Sequence, residues 1–334
     1  MSAFGATIFG CEGLRLSADE KAFFRAARPF GFILFARNID TADQVRSLCD
    51  ELRDCVSHHA PILIDQEGGR VQRLRPPLAT EWLPPLDEVA RAGKDAARVM
   101  YLRSCLIAQE QLALGIDANC APMVDVAMDA THPFLKNRCY GTDPEQVSLI
   151  GRAVADGLLA GGVWPVLKHV PGHGRAVLDS HLELPRVAAD RAALEGDFKP
   201  FRALNDLPMG MTAHIVFEAL SDKPATTDPA MITLIRDEIG FDGLLMTDDI
   251  SMEALSGDLA SRARASIAAG CDVVLYCKGV LSELEAVAEA SGDMTHAAEA
   301  RARAVLAARP VPAQVDIAAL RAEFEALSSG QGHG

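Results

Sequence analysis

The sequence predicts an α/β fold, a single (β/α)8 TIM-type barrel, and three observations carry that prediction. Eight short apolar or β-branched runs end in polar residues, helix-period segments lie between them, and the reactive side chains gather at the C-terminal ends of the runs. Eight parallel strands is the number that closes a barrel. An open doubly wound sheet is the alternative of similar content, and the lack of a G-x-G-x-x-G turn after the first run argues against it.

The runs are ATIFG (6–10), FGFILFAR (30–37), PILIDQ (61–66), DANCAPMVDV (117–126), VWPVLKHV (163–170), MGMTAHIVF (209–217), GLLMTDDI (243–250) and CDVVLYCK (271–278). Helix starts are marked between them. Ser17 and Glu20 form a capping box, Thr41 precedes ADQVRSLCDELRDCV, and Asp143-Pro144 opens EQVSLIGRAVADGLL. Asp228-Pro229 opens AMITLIRDEIG, and an alanine-rich run extends from Met252 to Ala269. After Lys278 the pattern predicts a final barrel helix, C-terminal helices over about 295–325 that include VDIAALRAEFEAL, and the polar tail SSGQGHG. With no solenoid-length repeat and no low-complexity linker, residues 1–334 read as one catalytic barrel domain.

Composition narrows the function. A chain of 334 residues that is 49% hydrophobic can bury a large core. The opening MSAFGATIFG lacks the basic start and apolar run of a signal peptide, and no stretch of about 18 apolar residues occurs to span a membrane, so the expected location is the cytoplasm. The eight cysteines include no C-x-x-C pair, which indicates neither a disulfide framework nor a zinc knuckle. A net charge of −14 works against nucleic acid or an anionic membrane as partner, because both demand a basic face. A small-molecule substrate fits, provided that local Arg or Lys meets any anionic group. The pattern specifies no oligomeric state.

In such barrels the reactive groups sit where strands end. The third run delivers Asp65 and the loop QEGGRVQRL with Arg70 and Arg73, and the long loop after the fourth run ends KNRCYG with Arg138. The fifth delivers Lys168 and His169, the sixth His214, and the seventh Asp248 and Asp249. Each has a plainer reading: Asp65 as a cap or a partner of Arg70, His214 as a buried histidine satisfied by backbone. Adjacent strand residues point to opposite sides, so one of Asp248 and Asp249 faces the mouth and the other caps the following helix.

The stretch KHVPGHGRAVLDSH, residues 168–181, concentrates the chemistry. His169, His173, His181 and Asp179 could be metal ligands, but Pro171, Gly172 and Gly174 prevent the helix that a helical H-x-x-x-H site needs, and no metal or cofactor is expected. A strand-end Lys168 could form a Schiff base, though this leaves the histidines unexplained. Retaining cleavage of a glycosidic bond needs a carboxylate on one face of the sugar and a proton donor on the other. Asp248 can be the carboxylate, and Asp179 can orient His181 as the donor. Gly172 and Gly174 would let this loop swing over the site, and His173 would shape it through hydrogen bonds.

These residues resemble a known family. KHVPGHGRAVLDSH is similar to the K-H-[FIV]-P-G-H-G-x4-D-[ST]-H signature of bacterial β-N-acetylhexosaminidases of glycoside hydrolase family 3. LIDQEGGRVQRL, NRCYG, MTAHI and LLMTDDISM resemble further segments of that family in the same order, over about residues 60–255. The resemblance implies Asp248 as nucleophile, His181 as acid/base and Asp179 as its dyad partner. It implies Asp65, Arg73, Arg138, Lys168 and His169 as residues holding the terminal N-acetylglucosamine, with His214 on the strand-six segment grouped among the candidate substrate contacts. It also implies release of that sugar from N-acetylmuramic or 1,6-anhydro-N-acetylmuramic acid during cell-wall recycling, without a metal. Val170 stands where Phe is common and Cys139-Tyr140 where Ser-Phe is common, which bears on packing. Transfer of the sugar to phosphate, substrate-assisted attack by the acetamido group, and a non-catalytic sugar-binding barrel remain open alternatives.

Overall fold

The computed structural model describes residues 2–178, 180, 183–314 and 316–329. Eight parallel strands close a barrel in chain order: β1 (Gly5–Phe9), β2 (Pro29–Leu34), β3 (Ile62–Ile64), β4 (Ala118–Asn119), β5 (Trp164–Val170), β6 (Met209–Thr212), β7 (Leu244–Asp249) and β8 (Val273–Tyr276). Every neighbouring pair is parallel, including β1 with β8. All eight predicted runs contribute a strand.

Alternation within the strands decides what faces inward. Ala6 and Ile8, Trp164 and Val166, Met209 and Met211, Leu244 and Met246, and Val273 and Leu275 meet in one buried cluster inside the barrel. Residues two apart share a face, so these sets fix the inward parity of each strand. Two other clusters fill the space between strands and helices.

The helices start where the sequence marks them. The Ser17–Glu20 capping box is formed ahead of Ala18–Ala27, and Thr41 caps Ala42–Arg53. Asp143 caps Pro144–Ala160, with proline in the first turn, where its missing N–H costs nothing. Helix Ala96–Leu112 has apolar residues on several faces because it packs against both Pro144–Ala160 and the C-terminal Ile317–Ser328. Its buried faces hide the one-sided stripe by which a surface helix is recognised.

Three expectations change. The fourth run shrinks to a two-residue strand, because the Ala121 N–H turns back to Asn119 O (2.7 Å) and Pro122 after it has no N–H to offer. Pairing resumes irregularly beyond it, with Lys168 N donating to Pro122 O (3.0 Å) and Val124 N to Lys168 O (2.9 Å). The run from Met252 becomes helical only over Leu259–Ala269, after Gly257 at φ 84° and the N-cap Asp258. Finally, QEGGRVQ folds as an antiparallel hairpin, Gln66–Gly68 against Val71–Gln72. The C-terminal helices lie over His296–Ala307 and Ile317–Ser328. Residues 330–334 of the tail lie outside the described residues. No helix among the described residues is long and apolar enough to cross a membrane.

Candidate active site

A pocket opens at the C-terminal mouth of the barrel, lined by Asp65, Arg73, Arg138, Lys168, His169, His173, Asp248 and Asp249 over a floor that includes Ile33, Met211 and Leu275. Strand parity accounts for the main polar groups. Asp65 follows inward Leu63, Lys168 follows inward Val166, and Asp248 follows inward Met246.

Register shifts account for their neighbours. Between Leu167 and Val170 the pairing with β6 advances by three residues against two, and His169 lines the pocket beside Lys168. A similar irregularity between Met246 and Asp249 brings Asp249 to the pocket with Asp248. Asp249 therefore does not cap the next helix. Its carboxylate accepts hydrogen bonds from Ser251 N (3.0 Å) and Ser251 Oγ (2.7 Å), bracing the turn after β7, while Asp248 Oδ1 accepts the Asp249 amide (2.8 Å).

Charged groups form a continuous chain along one wall. Arg73 Nη2 donates to Asp65 Oδ2 (3.0 Å), and Lys168 Nζ donates to Asp65 Oδ1 (2.9 Å). Lys168 Nζ also lies 2.6 Å from Glu67 Oε1, and Arg138 binds both Glu67 oxygens at 2.8 and 2.9 Å. Burial alone would raise the pKa of Asp65, but Lys168 and Arg73 hold it well below the usual carboxylate range. The same opposition leaves Glu67 at about 2, with Arg138 and Lys168 outweighing desolvation. For Lys168, the two carboxylates overcome a burial penalty and raise its pKa. The wall thus sets three cationic side chains against two carboxylates. Arg73 is only partly buried and lines the pocket. Such a wall suits a polyhydroxylated ligand, because guanidinium and ammonium groups donate and the carboxylates accept.

A second unit lies beside it. His169 Nδ1 is 2.7 Å from Asp125 Oδ2, and Asp125 Oδ1 accepts the backbone N–H of His173 at 2.6 Å. The His173 ring packs edge-on against His169, and neither of its nitrogens has a hydrogen-bond partner among the described residues. Desolvation, aided by His169, pushes the His173 pKa down to about 4. His173 shapes the loop through hydrogen bonds of its backbone, its N–H to Asp125 and its carbonyl accepting from Ala176 N (3.0 Å).

The start of this loop is pinned. Besides the Asp125 contact, Thr131 Oγ1 donates to Gly174 O, His132 N donates to Ala176 O (2.9 Å), and Arg175 pairs with Asp197. A Cβ at Gly174 would overlap the backbone of Val126, so that glycine permits a close approach of two chain segments. Asp179 and His181 lie outside the described residues; Ser180 between them lines the pocket.

His214 does not line the pocket. Inward Met209 and Met211 set a parity that turns it outward, and it is fully buried. Its Nδ1 meets Thr226 Oγ1 (2.7 Å), and its Nε2–H donates to the carbonyl of Asp249 (3.1 Å). It therefore supports the end of β7 from behind, and burial keeps its pKa below the usual value. Arg70 stacks on Phe134 at the rim. Glu67 and Asp125 are absent from the candidates named from sequence. The D-x-E alternation in LIDQEGG places Glu67 on the side of Asp65, and Asp125 is the penultimate residue of the fourth run, so both carried a usable signal.

Comparison with known proteins gives concordant findings. The model of the glycosyl hydrolase family 3 N-terminal domain matches residues 13–307. A protein of Alkalilimnicola ehrlichii named Beta-hexosaminidase is 39% identical over 282 residues, covering 82% of this chain and 80% of its own. One of the same name from Methylococcus capsulatus is 38% identical over 283 residues, 81% of this chain and 82% of its own. The structure of NagZ from Neisseria gonorrhoeae superimposes with a TM-score of 0.83 at 28% identity, over 98% of this chain and 96% of that one. The same protein has been solved in complex with N-trifluoroacetyl-D-glucosamine.

Proposed function

This chain belongs to glycoside hydrolase family 3, and from that premise we propose that it is a retaining exo-β-N-acetylglucosaminidase acting through a covalent glycosyl-enzyme on Asp248. β-N-Acetylhexosaminidase activity agrees with the names of its relatives. The observation that carries the finer reading is the placement of inward-facing Asp248 in the same pocket as the Arg73–Asp65–Lys168–Glu67–Arg138 wall. A terminal sugar held by Asp65, Arg73, Arg138, Lys168 and His169 would present its anomeric carbon to the Asp248 carboxylate.

In the first step Asp248 attacks the anomeric carbon as the glycosidic bond breaks, and the departing oxygen takes a proton from His181, with Asp179 stabilising the imidazolium. In the second step neutral His181 accepts a proton from water, whose oxygen displaces Asp248. The sugar leaves with its original configuration, and both groups return to their starting states. The substrate we infer is a small-molecule N-acetylglucosaminide of the muropeptide type, cleaved during cell-wall recycling in the cytoplasm, with residues 1–334 acting as one catalytic domain.

The test is covalent trapping. A 2-acetamido-2-deoxy-5-fluoro sugar is expected to label Asp248, identified by peptide mass, and Asp248→Ala is expected to abolish labelling and turnover of an aryl β-N-acetylglucosaminide. Label on any other residue, or an active Asp248→Ala protein, would remove this mechanism. GlcNAc-1-phosphate formed in phosphate buffer would shift the reading toward phosphorolysis.

A further inference from the structure

We propose that Asp125 is a positioning residue that dictates which nitrogen of His169 carries its proton on the inner side, and hence which face of that imidazole meets the sugar. The inference deepens the functional reading above, since it concerns the same pocket. It rests on two contacts made by one carboxylate. Asp125 is fully buried, its Oδ2 is 2.7 Å from His169 Nδ1, and its Oδ1 accepts the His173 amide at 2.6 Å. A carboxylate can only accept, so Nδ1 of His169 must hold a proton. Nε2 is then the ring nitrogen left for a ligand, and it accepts from a sugar hydroxyl when the ring is neutral. The Asp125 carboxylate is wholly buried, and the His173 ring packs edge-on against His169 at 5.7 Å between centroids.

The second contact makes the role testable by a near-isosteric change. In Asp125→Asn one side-chain atom must still accept the His173 N–H, and only the amide oxygen can do so. The NH2 group then faces His169 Nδ1, which must become an acceptor. The proton moves to Nε2, and the nitrogen presented to the sugar becomes a donor. Size, burial and the loop anchor are retained while the tautomer is inverted, the logic by which a buried acid fixes a catalytic histidine elsewhere.

The experiment is long-range 1H–15N correlation of the histidine rings in the full chain, with His169 assigned by the signals lost in His169→Gln. Wild type is expected to carry a proton on Nδ1, and Asp125→Asn on Nε2 alone. Turnover of an aryl β-N-acetylglucosaminide by Asp125→Asn is expected to fall about 10- to 100-fold in kcat/KM, the effect of one mismatched hydrogen bond to a bound group. A wild-type His169 with bare Nδ1 would overturn the proposal, and so would an Asp125→Asn protein that keeps its kcat/KM. The wild-type spectrum decides even if the variant fails to fold. It also separates the two readings: a wild type with protonated Nδ1 but no hydrolase activity would leave Asp125 as the director of His169 while removing the assigned reaction.

Discussion

The two ends of the barrel both bury carboxylates against arginines, yet they use them differently. At the closed end Asp117, just before β4, accepts Ile62 N (2.8 Å) and pairs with Arg53 (2.9 Å) and His59 (2.7 Å). Asp272, just before β8, accepts Leu245 N (2.8 Å) and pairs with Arg236 (2.6 Å) and Arg301 (3.2 Å). Each ties a strand's first residues to a neighbour's backbone. At the mouth, Asp65 and Glu67 bind side-chain cations that themselves border the pocket or touch groups that do. The same pairing therefore holds the framework at one end and presents donors and acceptors at the other. A buried ion pair is weak evidence for net stability, and its partner's exposure to a ligand is what separates the two uses.

Substitutions can break this contrast, beginning with the largest effect. Asp248→Ala is expected to lower kcat by at least about 10⁴-fold, as for loss of a nucleophile, while thermal unfolding stays close to wild type. Next, Lys168→Met leaves Asp65 and Glu67 without their shared cation; stability should fall by about 3–5 kcal/mol in denaturant unfolding, with N-acetylglucosamine binding lost in calorimetry. Asp272→Asn should give the opposite division: about 1–3 kcal/mol of lost stability with KM unchanged. A raised KM in that variant would erase the distinction between the two ends.

The smallest effect concerns pH. His173 has a folded-state pKa near 4, below its ordinary 6.5, because burial disfavours the charged ring. A depressed pKa contributes stability that is present above about 6.5 and is lost as pH falls through 4. His173→Gln removes this titration. Its unfolding free energy should decline less steeply than wild type between those values, measured by urea titration at several pH values.

Much of this was legible because barrel strands carry two signals at once, an apolar run and a polar end. Asp65, Lys168 and Asp248 follow from parity plus the strand-end rule. Asp249 and His169 do not, since they reach the pocket through register shifts that depend on pairing with neighbours. His214 misleads because MTAHI looks continuous, although the strand ends at Thr212 and its parity points the histidine away. Helix Ala96–Leu112 is obscured by burial on several faces, and the hairpin after β3 depends on glycines that leave no hydrophobic trace. Asp125 reads as an ordinary strand-end acid until its partners, His169 and the His173 amide, are brought beside it by folding.

The stitching between 125–132 and 173–176 has a consequence for protein engineering. Those segments share a buried carboxylate, a threonine hydroxyl and a main-chain bond, and Val126 occupies the space that any side chain at Gly174 would need. They form one exchangeable cassette, so a chimera that imports only one of the two loops from a relative inherits half a joint.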